Sequence, residues 1–445
     1  MGRKQPRRLA PETAPRLDVR IDDLDHEGRG VGRVNGKVVF VDGALPGERV
    51  RARCTTTAKR FDEAVVEAVA EASADRVEPF CPVFGRCGGC TLQHLAPTAQ
   101  RDQRERRVHD ELARAAGAPP ADWLPALTGP ATGYRMRARM TVRHVRRQGV
   151  LLGFRERAGR HVVDTDVCAI LDPRLERLIP GLKELIASLD RPERVSALEL
   201  VAGDGDTVVA FQYAGAPGEA DRTRLAGYQH QSGVMVAVAA GGPPVAVDPD
   251  RPPDAYYALP GEDLVLRFAA GDFVQANATV NRELVARAMD LLAPASGEVM
   301  LDLYCGIGNF SLPAARRGAA VTGIEGDAGL VERAAANARG NGLAGRARFH
   351  QADLAAVPLG AWLQRLQPAA VLLDPPRAGA QEAVDALVQR PPPRIVYVSC
   401  DPATLARDVG RLVGAGGYRL RAAGIADMFP HTGHVEAIAA LERAS

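Results

Sequence analysis

The chain has 445 residues, of which 46% are hydrophobic and 25% are charged, and its formal net charge is +2. This composition is that of a globular protein of two or three domains, and the small net charge excludes a generally basic nucleic-acid binder, so any such function must rest on local patches. No stretch is long and apolar enough to span a bilayer, and the basic N-terminus lacks the apolar core of a secretory signal, so we expect a cytoplasmic protein without membrane contact.

The first part of the chain predicts a basic tail and a small β domain. Residues 1–16 are basic, and we expect them to form a disordered tail. Residues 17–74 alternate apolar and polar positions and carry turn signals at "NGK" and "DGALPGE", which predicts short strands. Glycines are spaced as in a small closed barrel, which has no exposed sheet edges; they are Gly28, Gly30, Gly32, Gly36, Gly43 and Gly47. The segment is either a generic β module or an OB-like RNA-binding domain.

The central segment, residues 75–262, opens with a cysteine pattern. Cys81, Cys87 and Cys90 follow the spacing C-x5-C-x2-C, and Cys168 is the natural fourth ligand. In a cytosolic chain, seven cysteines are more typical of thiols and metal ligands than of a disulfide framework. Four thiolates fit either zinc or an iron–sulfur cluster, and the spacing alone does not decide between them.

A helix-like stretch over Pro97–Ala116 precedes an arginine-rich stretch in the same β-rich central segment. Residues 134–160 contain nine arginines and a single acid, Glu156. Alternate residues of a strand share a face, so four arginines are predicted to lie together; they are Arg135, Arg137, Arg139 and Arg143. The face is either a solvated charged surface or a contact for an RNA backbone. The absence of lysine favours RNA, because arginine grips phosphates bidentately.

From residue 263 to residue 445, strands and helices alternate. Apolar residues over "VNRELVARAMDLL" recur at helical spacing, and Pro294 ends this helix. The alternation predicts an open α/β sheet, in which functional groups collect at the carboxyl ends of the strands.

Three acids and a glycine pair predict a cofactor crevice in this sheet. Gly306 and Gly308 follow an apolar strand, and glycine lets a backbone approach a ligand closely. Glu325 ends the next strand, at the distance where a carboxylate accepts hydrogen bonds from ribose hydroxyls. Asp353 and Asp374 follow two further strands. No lysine follows the glycines, which excludes a phosphate-gripping P-loop. A nicotinamide cofactor fits this pattern too, and the alternative interpretation is that the acids are turn and cap residues.

Cys400 is predicted to be a nucleophile. It follows the strand-like run "RIVYVS", and Asp401 and Pro402 then fit the N-cap and first position of a helix. A helix N-terminus favours thiolate over thiol, which primes the sulfur for attack. The alternative is a buried structural cysteine, the interpretation that we prefer for Cys54 and Cys305.

A thiolate nucleophile needs a group that manages protons. Glu436 lies near the start of the last predicted strand between apolar neighbours, and a desolvated glutamate has a raised pKa and serves as a base. His431 and His434 are competing candidates, each more typical of a turn residue or a hydrogen-bonding helper.

Several of these motifs together resemble the RNA uracil-C5 methyltransferases. The resemblance rests on "DLYCGIGNFSLPAA", "LLDPPRAGA", "VYVSCDPATLARD" and "DMFPHTGHVE". The stretch "GRGVGRVNGKVVFVDGALPGE" resembles the N-terminal TRAM domain of that family, and "CPVFGRCGGC" with a later cysteine resembles its iron–sulfur branch. The similarity covers nearly the whole chain.

The resemblance implies an S-adenosylmethionine (SAM)-dependent enzyme that methylates carbon 5 of a uridine in RNA. Cys400 is then the nucleophile and Glu436 the base, and a 4Fe–4S cluster replaces zinc as the expected group on the four cysteines. The implied SAM-binding residues are Gln275, Tyr304, Gly306, Asn309, Glu325, Asp353 and Asp374. The implied substrate is 23S rRNA, with tRNA as the alternative, and we expect a monomer.

Some features depart from the family pattern, and two rival functions remain. Tyr304 and Asp353 replace a usual Phe and a common Asn. Asp401 stands where Asn is frequent, and its charge would raise the thiol pKa. An exocyclic-amine RNA methyltransferase would carry an aromatic residue where Arg377 follows "DPP", and it would leave Cys400 without a role. A non-catalytic RNA-binding assembly factor would not need Cys400 or Glu436.

Overall fold

The computed structural model describes residues 7–157 and 159–444, so the first six residues of the predicted tail lie outside the described part. The chain divides into two compact units, each discontinuous in sequence. Unit 1 takes its described residues from 1–104, 155–163 and 429–434, and unit 2 takes them from 105–154, 164–428 and 435–445. Within the described ranges, no helix combines the length and apolar character needed to cross a membrane.

Unit 1 is built around a closed barrel. Its strands are β1 (Arg7–Arg8), β2 (Arg16–Leu24), β3 (Gly30–Val34), β4 (Lys37–Asp42), β5 (Arg49–Thr57) and β6 (Phe61–Glu71). Because β5 pairs with both β2 and β6, the order β5–β2–β3–β4–β6 closes on itself. At Gly32 a Cβ would lie 2.2 Å from the carbonyl oxygen of Arg20, so the close approach of β2 and β3 requires glycine. The predicted OB-like barrel is confirmed.

The described part of the basic N-terminus differs from the disordered tail that we predicted. Arg7 and Arg8 pair with Thr57 and Thr56 of β5, and Ala14 is buried. Backbone pairing and a buried methyl group therefore order the segment before β2.

Two large sheets lie chiefly in unit 2. The first is formed by the middle of the chain in the order β10–β9–β8–β11–β12–β13–β14. Its strands are β8 (Arg137–Val145), β9 (Gly149–Arg155), β10 (Val162–Asp164), β11 (Val195–Ala202), β12 (Thr207–Tyr213), β13 (Met235–Ala239) and β14 (Val245–Ala246); the preceding strand β7 (Asp122–Trp123) belongs to the second sheet. The sequence predicted one central domain over 75–262, whereas residues 75–104 and 155–163 belong to the barrel unit.

Helices of the first half of the chain begin with α1 (Pro97–Ala116), whose bounds are those predicted. The others are α2 (Pro173–Glu176), α3 (Ile179–Ser188) and α4 (Glu219–Ser232), and a two-stranded sheet of β15 (Tyr256–Leu259) and β16 (Leu264–Arg267) leads to the last segment. Short 3-10 turns lie at Pro192–Arg194 and Pro260–Glu262.

The C-terminal part of the chain forms the predicted Rossmann-like sheet. Its strands are β17 (Val299–Leu303), β18 (Ala320–Glu325), β19 (Ala347–Gln351), β20 (Ala370–Leu373), β21 (Arg394–Ser399), β22 (Tyr418–Ala426) and β23 (Glu436–Arg443). Its helices are α5 (Ala278–Leu292), α6 (Ser311–Arg316), α7 (Ala328–Gly340), α8 (Leu359–Leu366), α9 (Gln381–Gln389) and α10 (Pro402–Gly416). The sheet order is β19–β18–β17–β20–β21–β23–β22–β7.

The strand directions determine where the site lies. Strands β17 to β21 run parallel, and β23 enters antiparallel between β21 and β22. The carboxyl ends of the parallel strands and the first residue of β23 therefore meet at one edge, which is where an open α/β sheet binds its ligand.

Candidate active site

Cys400 and Glu436 meet at the edge of the sheet. Cys400 directly follows β21, and Glu436 is the first residue of β23. Ser399 pairs with Ala437 in the antiparallel register, so the next pair of positions along this ladder is Cys400 and Glu436. The strand order thus brings together two residues that are 36 positions apart in the chain.

The predicted helix after the thiol is confirmed, with its cap. The Asp401 carboxylate accepts a hydrogen bond from the N–H of Thr404 at 2.9 Å, and Pro402 occupies the first turn of α10. The face predicted to be buried is buried; it consists of Leu405, Val409 and Leu412.

The acidity of the thiol differs from the prediction. The pKa of Cys400 is raised to about 11: burial is the largest cause and the charges of Glu436 and Asp374 add to it, while the Arg377 guanidinium lowers it through its charge and a hydrogen bond to the sulfur. We expected the helix N-terminus to favour the thiolate. Desolvation and two nearby acids outweigh that effect, so formation of the thiolate depends on groups that oppose them, such as Arg377.

Glu436 is a buried acid with the environment expected of a general base. It is 3% exposed. Burial and the charge of Asp374 raise the pKa of Glu436 well above its ordinary range, against the lowering effect of Arg377. Burial and the charge of Glu325 raise the pKa of Asp374 itself to about 7. A carboxylate of raised pKa is a stronger base, which suits the removal of a proton from carbon.

The loop after β17 forms the candidate cofactor cradle. Its first residue, Tyr304, takes the left-handed φ of +64°, which is rare for a side chain other than glycine. The N–H of Gly306 then donates to Glu325 Oε2 at 3.1 Å, and the N–H groups of Gly326 and Asp327 donate to Oε1 at 2.7 and 3.0 Å. These bonds fix the Glu325 carboxylate at the carboxyl end of β18, the edge where an open α/β sheet binds its ligand.

Asn309 is fixed by a pair of reciprocal amide hydrogen bonds. Its Nδ2 donates to Asn281 Oδ1 at 3.0 Å, Asn281 Nδ2 donates back to Asn309 Oδ1 at 3.1 Å, and the Tyr257 hydroxyl donates to the same oxygen at 2.9 Å. Gln275 lines a small cavity together with Tyr257 and Asn281. Two of the predicted cofactor residues, Gln275 and Asn309, therefore both lie close to Tyr257 and Asn281.

Asp353 lies at the periphery of this set. It is exposed, and its Oδ1 accepts a hydrogen bond from the N–H of Ala355 at 3.0 Å, as in a turn. Its charge reaches Tyr304, because burial chiefly and then a group of acids that includes Asp353 raise the pKa of the Tyr304 phenol to about 12. Asp353, which follows β19, is therefore within electrostatic reach of the cradle.

The sequence did not single out Asp302, Asn281 or the contact between Arg377 and Cys400. Asp302 is completely buried in β17, and Ser311 donates a hydrogen bond to its Oδ2. Burial raises the pKa of Asp302 to about 7, with a further contribution from Asp374 and Glu325. The available signals were a lone acid inside an apolar strand for Asp302 and a lone cation after "DPP" for Arg377.

The predicted cluster cysteines divide between the units. Cys81, Cys87 and Cys90 are partly buried in unit 1, and Cys168 belongs to unit 2. Burial and the charge of Cys81 raise the pKa of Cys87, so at least these two sulfurs lie near each other and a bound cation would relieve their repulsion. Within residues 7–157 and 159–444, no group of three or more His, Cys, Asp or Glu side chains is arranged to hold a metal ion. The cluster therefore stays a prediction.

The arginine-rich strand has the predicted one-sided face for Arg137, Arg139 and Arg143, whereas Arg135 precedes the strand and donates a hydrogen bond to the carbonyl of Arg137. In β8 the side chains of Ala138, Met140 and Val142 are buried, and the arginines alternate with them. Arg137 and Arg139 lie 3.3 and 3.7 Å from the carboxylate of Glu199, which neutralises part of this face. The face is less positive than the sequence suggested.

His431 has a structural role. Its backbone N–H donates to Gln100 Oε1 at 2.8 Å, and its ring Nδ1 lies 3.2 Å from Gln100 Nε2. Its backbone carbonyl accepts hydrogen bonds from the N–H groups of Thr91 and Leu92. His434 is exposed. This arrangement supports the interpretation of His431 as a hydrogen-bonding helper rather than the base.

Comparison with known proteins gives the same picture over nearly the whole length. The family described as tRNA (Uracil-5-)-methyltransferase matches residues 121–444, and the TRAM domain matches residues 15–66. The 23S rRNA (uracil(1939)-C(5))-methyltransferase RlmD of Acidithiobacillus ferrooxidans is 47% identical, with 95% of this chain and 96% of that protein covered. The protein of the same name from Azoarcus sp. is 46% identical, with 95% and 99% covered.

A solved structure extends the likeness to the fold. The Pyrococcus abyssi tRNA (uracil-54, C5)-methyltransferase, in complex with S-adenosyl-L-homocysteine, superposes with a TM-score of 0.73 at 25% identity, covering 96% of this chain and 100% of that one. The fold is that of the SAM-dependent methyltransferases. Within that class, the chain belongs to the tRNA (uracil-5-)-methyltransferase family and carries its TRAM domain. The predicted family and fold are confirmed.

Proposed function

We propose that the protein transfers a methyl group from SAM to carbon 5 of a uridine in 23S rRNA, at the site that corresponds to uridine 1939 of its relatives. The observation that carries this proposal is the meeting of Cys400 and Glu436 at the edge of a methyltransferase sheet. The choice of rRNA over tRNA is supported by the relatives of 45–47% identity that share nearly the full length.

Cys400 makes carbon 5 reactive. Carbon 5 of uracil is a poor nucleophile, so the Cys400 thiolate adds to carbon 6, a C–S bond forms, and the electron pair of the double bond moves to the C4 oxygen as an enolate. Arg377, which hydrogen-bonds the sulfur, stabilises the thiolate before this addition. The target base must first leave its stack to reach the sulfur.

Glu436 completes the reaction. The enolate carbon 5 would attack the sulfonium methyl group, whose bond to sulfur would break to leave the neutral thioether S-adenosylhomocysteine, and carbon 5 would then carry both a proton and the new methyl group. Glu436 takes that proton, the double bond re-forms, and Cys400 leaves as thiolate. For this step Glu436 must be ionised in the complex, and its raised pKa makes the ionised form a strong base.

The cofactor SAM supplies an electrophilic sulfonium methyl group. The hydrogen-bonded carboxylate of Glu325 fits the ribose hydroxyls, and the fixed amide of Asn309 fits a polar group nearby. We assign SAM binding to Gln275, Tyr304, Gly306, Asn309, Glu325, Asp353 and Asp374.

We also propose that Cys81, Cys87, Cys90 and Cys168 hold a 4Fe–4S cluster. Burial and the proximity of Cys81 disfavour the thiolate of Cys87, so a positively charged core would be needed to hold both as thiolates. The methyl transfer needs no electron donor, so the cluster has a structural or RNA-positioning role. Iron and sulfide analysis of anaerobically purified protein distinguishes it from zinc. With its substrate in the ribosome, we expect the protein to act in the cytoplasm as a monomer.

Transfer of labelled methyl from SAM tests the proposed reaction. A 23S rRNA fragment should gain 5-methyluridine, tRNA should not, and a fragment with 5-fluorouridine at the target should form a covalent adduct. Cys400→Ala should abolish methylation and adduct, whereas Cys54→Ala, which changes a buried thiol of the barrel, should keep both. Glu436→Gln should accumulate the adduct on ordinary RNA.

The outcomes separate the rival functions. Labelled purines would indicate an exocyclic-amine methyltransferase, and binding of RNA without any methyl transfer would indicate an assembly factor. Full uridine methylation by Cys400→Ala would refute the nucleophile.

A further inference from the structure

Unit 1 contains a cavity that the proposed reaction does not use. Its volume is about 430 Å³, within the range of about 300–1,000 Å³ that is typical of ligand sites. The lining consists of Gly43, Ala72, Ser73, Arg76, Val77, Glu78, Pro79, Phe84 and His94. The described residues that line it do not include the three cysteines of the same unit.

The environment of His94 indicates that the cavity binds a ligand. Its side chain is almost fully buried, at 2% exposure, and neither ring nitrogen has a hydrogen-bond partner among the described residues. Burial lowers the pKa of His94 to about 4, so the ring is neutral at pH 7 and offers one donor and one acceptor. Buried polar groups are nearly always paired, so two unpaired ring nitrogens on a residue of the cavity lining indicate a missing partner.

The rest of the cavity suits a flat, uncharged ligand. The Phe84 ring lies 5.3 Å from the His94 ring, and Val77, which is 40% exposed, and Pro79 add apolar surface. The Arg76 guanidinium is bound to the Glu48 carboxylate through two hydrogen bonds, of 2.5 and 2.8 Å. Because that ion pair satisfies the positive charge, the cavity is not built for a phosphate.

We propose that this cavity binds a base of the RNA substrate other than the uridine that is methylated. Unstacked RNA bases are recognised by aromatic surfaces and by hydrogen bonds to their edges, and His94 with Phe84 offers both. The inference rests on the proposed function, since it takes RNA as the substrate. The cavity would then fix the position of the RNA while a second base enters the active site.

Steady-state methylation of the rRNA fragment by His94 variants tests this proposal. His94→Leu removes both nitrogens and should raise the KM for RNA about tenfold, with kcat and the KM for SAM unchanged. His94→Gln restores a donor and an acceptor and should recover part of the loss. The matched control is His161→Leu, which changes an exposed histidine of the same unit and should have no effect.

Thermal unfolding separates this role from a structural one. His94→Leu should unfold at the same temperature as the native protein or higher, because it removes unpaired buried polar atoms. An unchanged KM for RNA in a folded His94→Leu protein would overturn the proposal. If the native protein itself transfers no methyl to uridine, the proposed function fails instead.

Photo-crosslinking gives a readout that does not depend on the variants folding. Thionucleosides are placed one at a time on either side of the target uridine, and the native protein is irradiated with each RNA. One position should crosslink to the segment from Ala72 to His94, and the exposed-rim variant Val77→Glu should weaken that crosslink. Crosslinks elsewhere in the chain but none to this segment would contradict the proposal.

Discussion

At the scale of single residues, the reactivity of the thiol depends on a balance of neighbours. Burial, Glu436 and Asp374 all raise the pKa of Cys400, and Arg377 lowers it. We assign proton removal to Glu436 and cofactor binding to Asp374, so the thiolate depends on a cation that opposes both charges. Arg377 is exposed, which leaves it able to respond when RNA covers the site. We therefore regard Arg377 as the positioning residue that keeps the thiolate accessible.

Replacing Arg377 tests this balance. Arg377→Gln should shift the pH profile of Cys400 alkylation by iodoacetamide upward by about one unit, because an opposite charge at hydrogen-bond distance is worth about that much. Methylation at pH 8 should fall roughly tenfold, since the thiolate fraction falls tenfold per unit below the pKa. Arg377→Lys should lie between the two. An unchanged alkylation profile in the glutamine variant would remove Arg377 from the mechanism.

At the scale of elements, the junction between β21 and α10 presents the sulfur. Asp401 follows the end of the strand and caps α10, because its carboxylate accepts a hydrogen bond from the N–H of Thr404. Ser399 reinforces the turn, because its hydroxyl accepts from the N–H of Asp401 at 3.1 Å. The position of Cys400 between these two residues is therefore set by local hydrogen bonds.

Removing the cap should loosen this junction. Asp401→Ala should lower the free energy of unfolding by about 1 kcal/mol, which is typical for loss of an N-cap side chain, and Asp401→Asn should keep the native stability. Urea denaturation followed by circular dichroism measures both. Equal stabilities for the alanine and asparagine variants would show that the cap does not support the helix.

Local signals explain which elements could be predicted from the sequence. The bounds of α1, the cap at Asp401 and the strand that begins at Glu436 all follow from periodicity and capping residues close in the chain. The pairing of β1 and the pKa of Cys400 depend on partners far away in sequence. The rule for helix N-termini predicted the wrong direction of the pKa shift of Cys400. It takes no account of desolvation or of the acids that β20 and β23 place near the sulfur.

At the scale of the whole molecule, neither compact unit is a continuous stretch of chain. Residues 429–434 belong to unit 1, held by the hydrogen bonds between His431 and Gln100, and Val435 returns the chain to unit 2 immediately before Glu436. Contacts of this range leave no signature in a single sequence. The three consecutive domains predicted from the sequence therefore give the order of the motifs along the chain. They do not coincide with the two compact units of the structure.

The buried acids of the crevice also affect the folding stability of the whole molecule. Burial raises the pKa of Asp302 and of Asp374 to about 7 and that of Glu436 further above its ordinary value. The folded protein thus holds protons that the unfolded chain loses above about pH 4. Folding stability contributed by these acids is greatest below that pH and falls as the pH rises toward 7.

The pH dependence of thermal unfolding should reveal this cost without cofactor or RNA. We expect Asp302→Asn to raise the unfolding temperature by a few degrees at pH 8 and by less at pH 5.5, because the native aspartate is already neutral at the lower pH. The matched control, Asp353→Asn, changes an exposed acid and should alter neither value. The Asp302→Asn protein could instead be less stable than the native one by the same amount at both pH values. That result would indicate that the carboxyl contributes a hydrogen bond that asparagine cannot replace. It would also show that ionisation of Asp302 does not lower the stability of the folded protein.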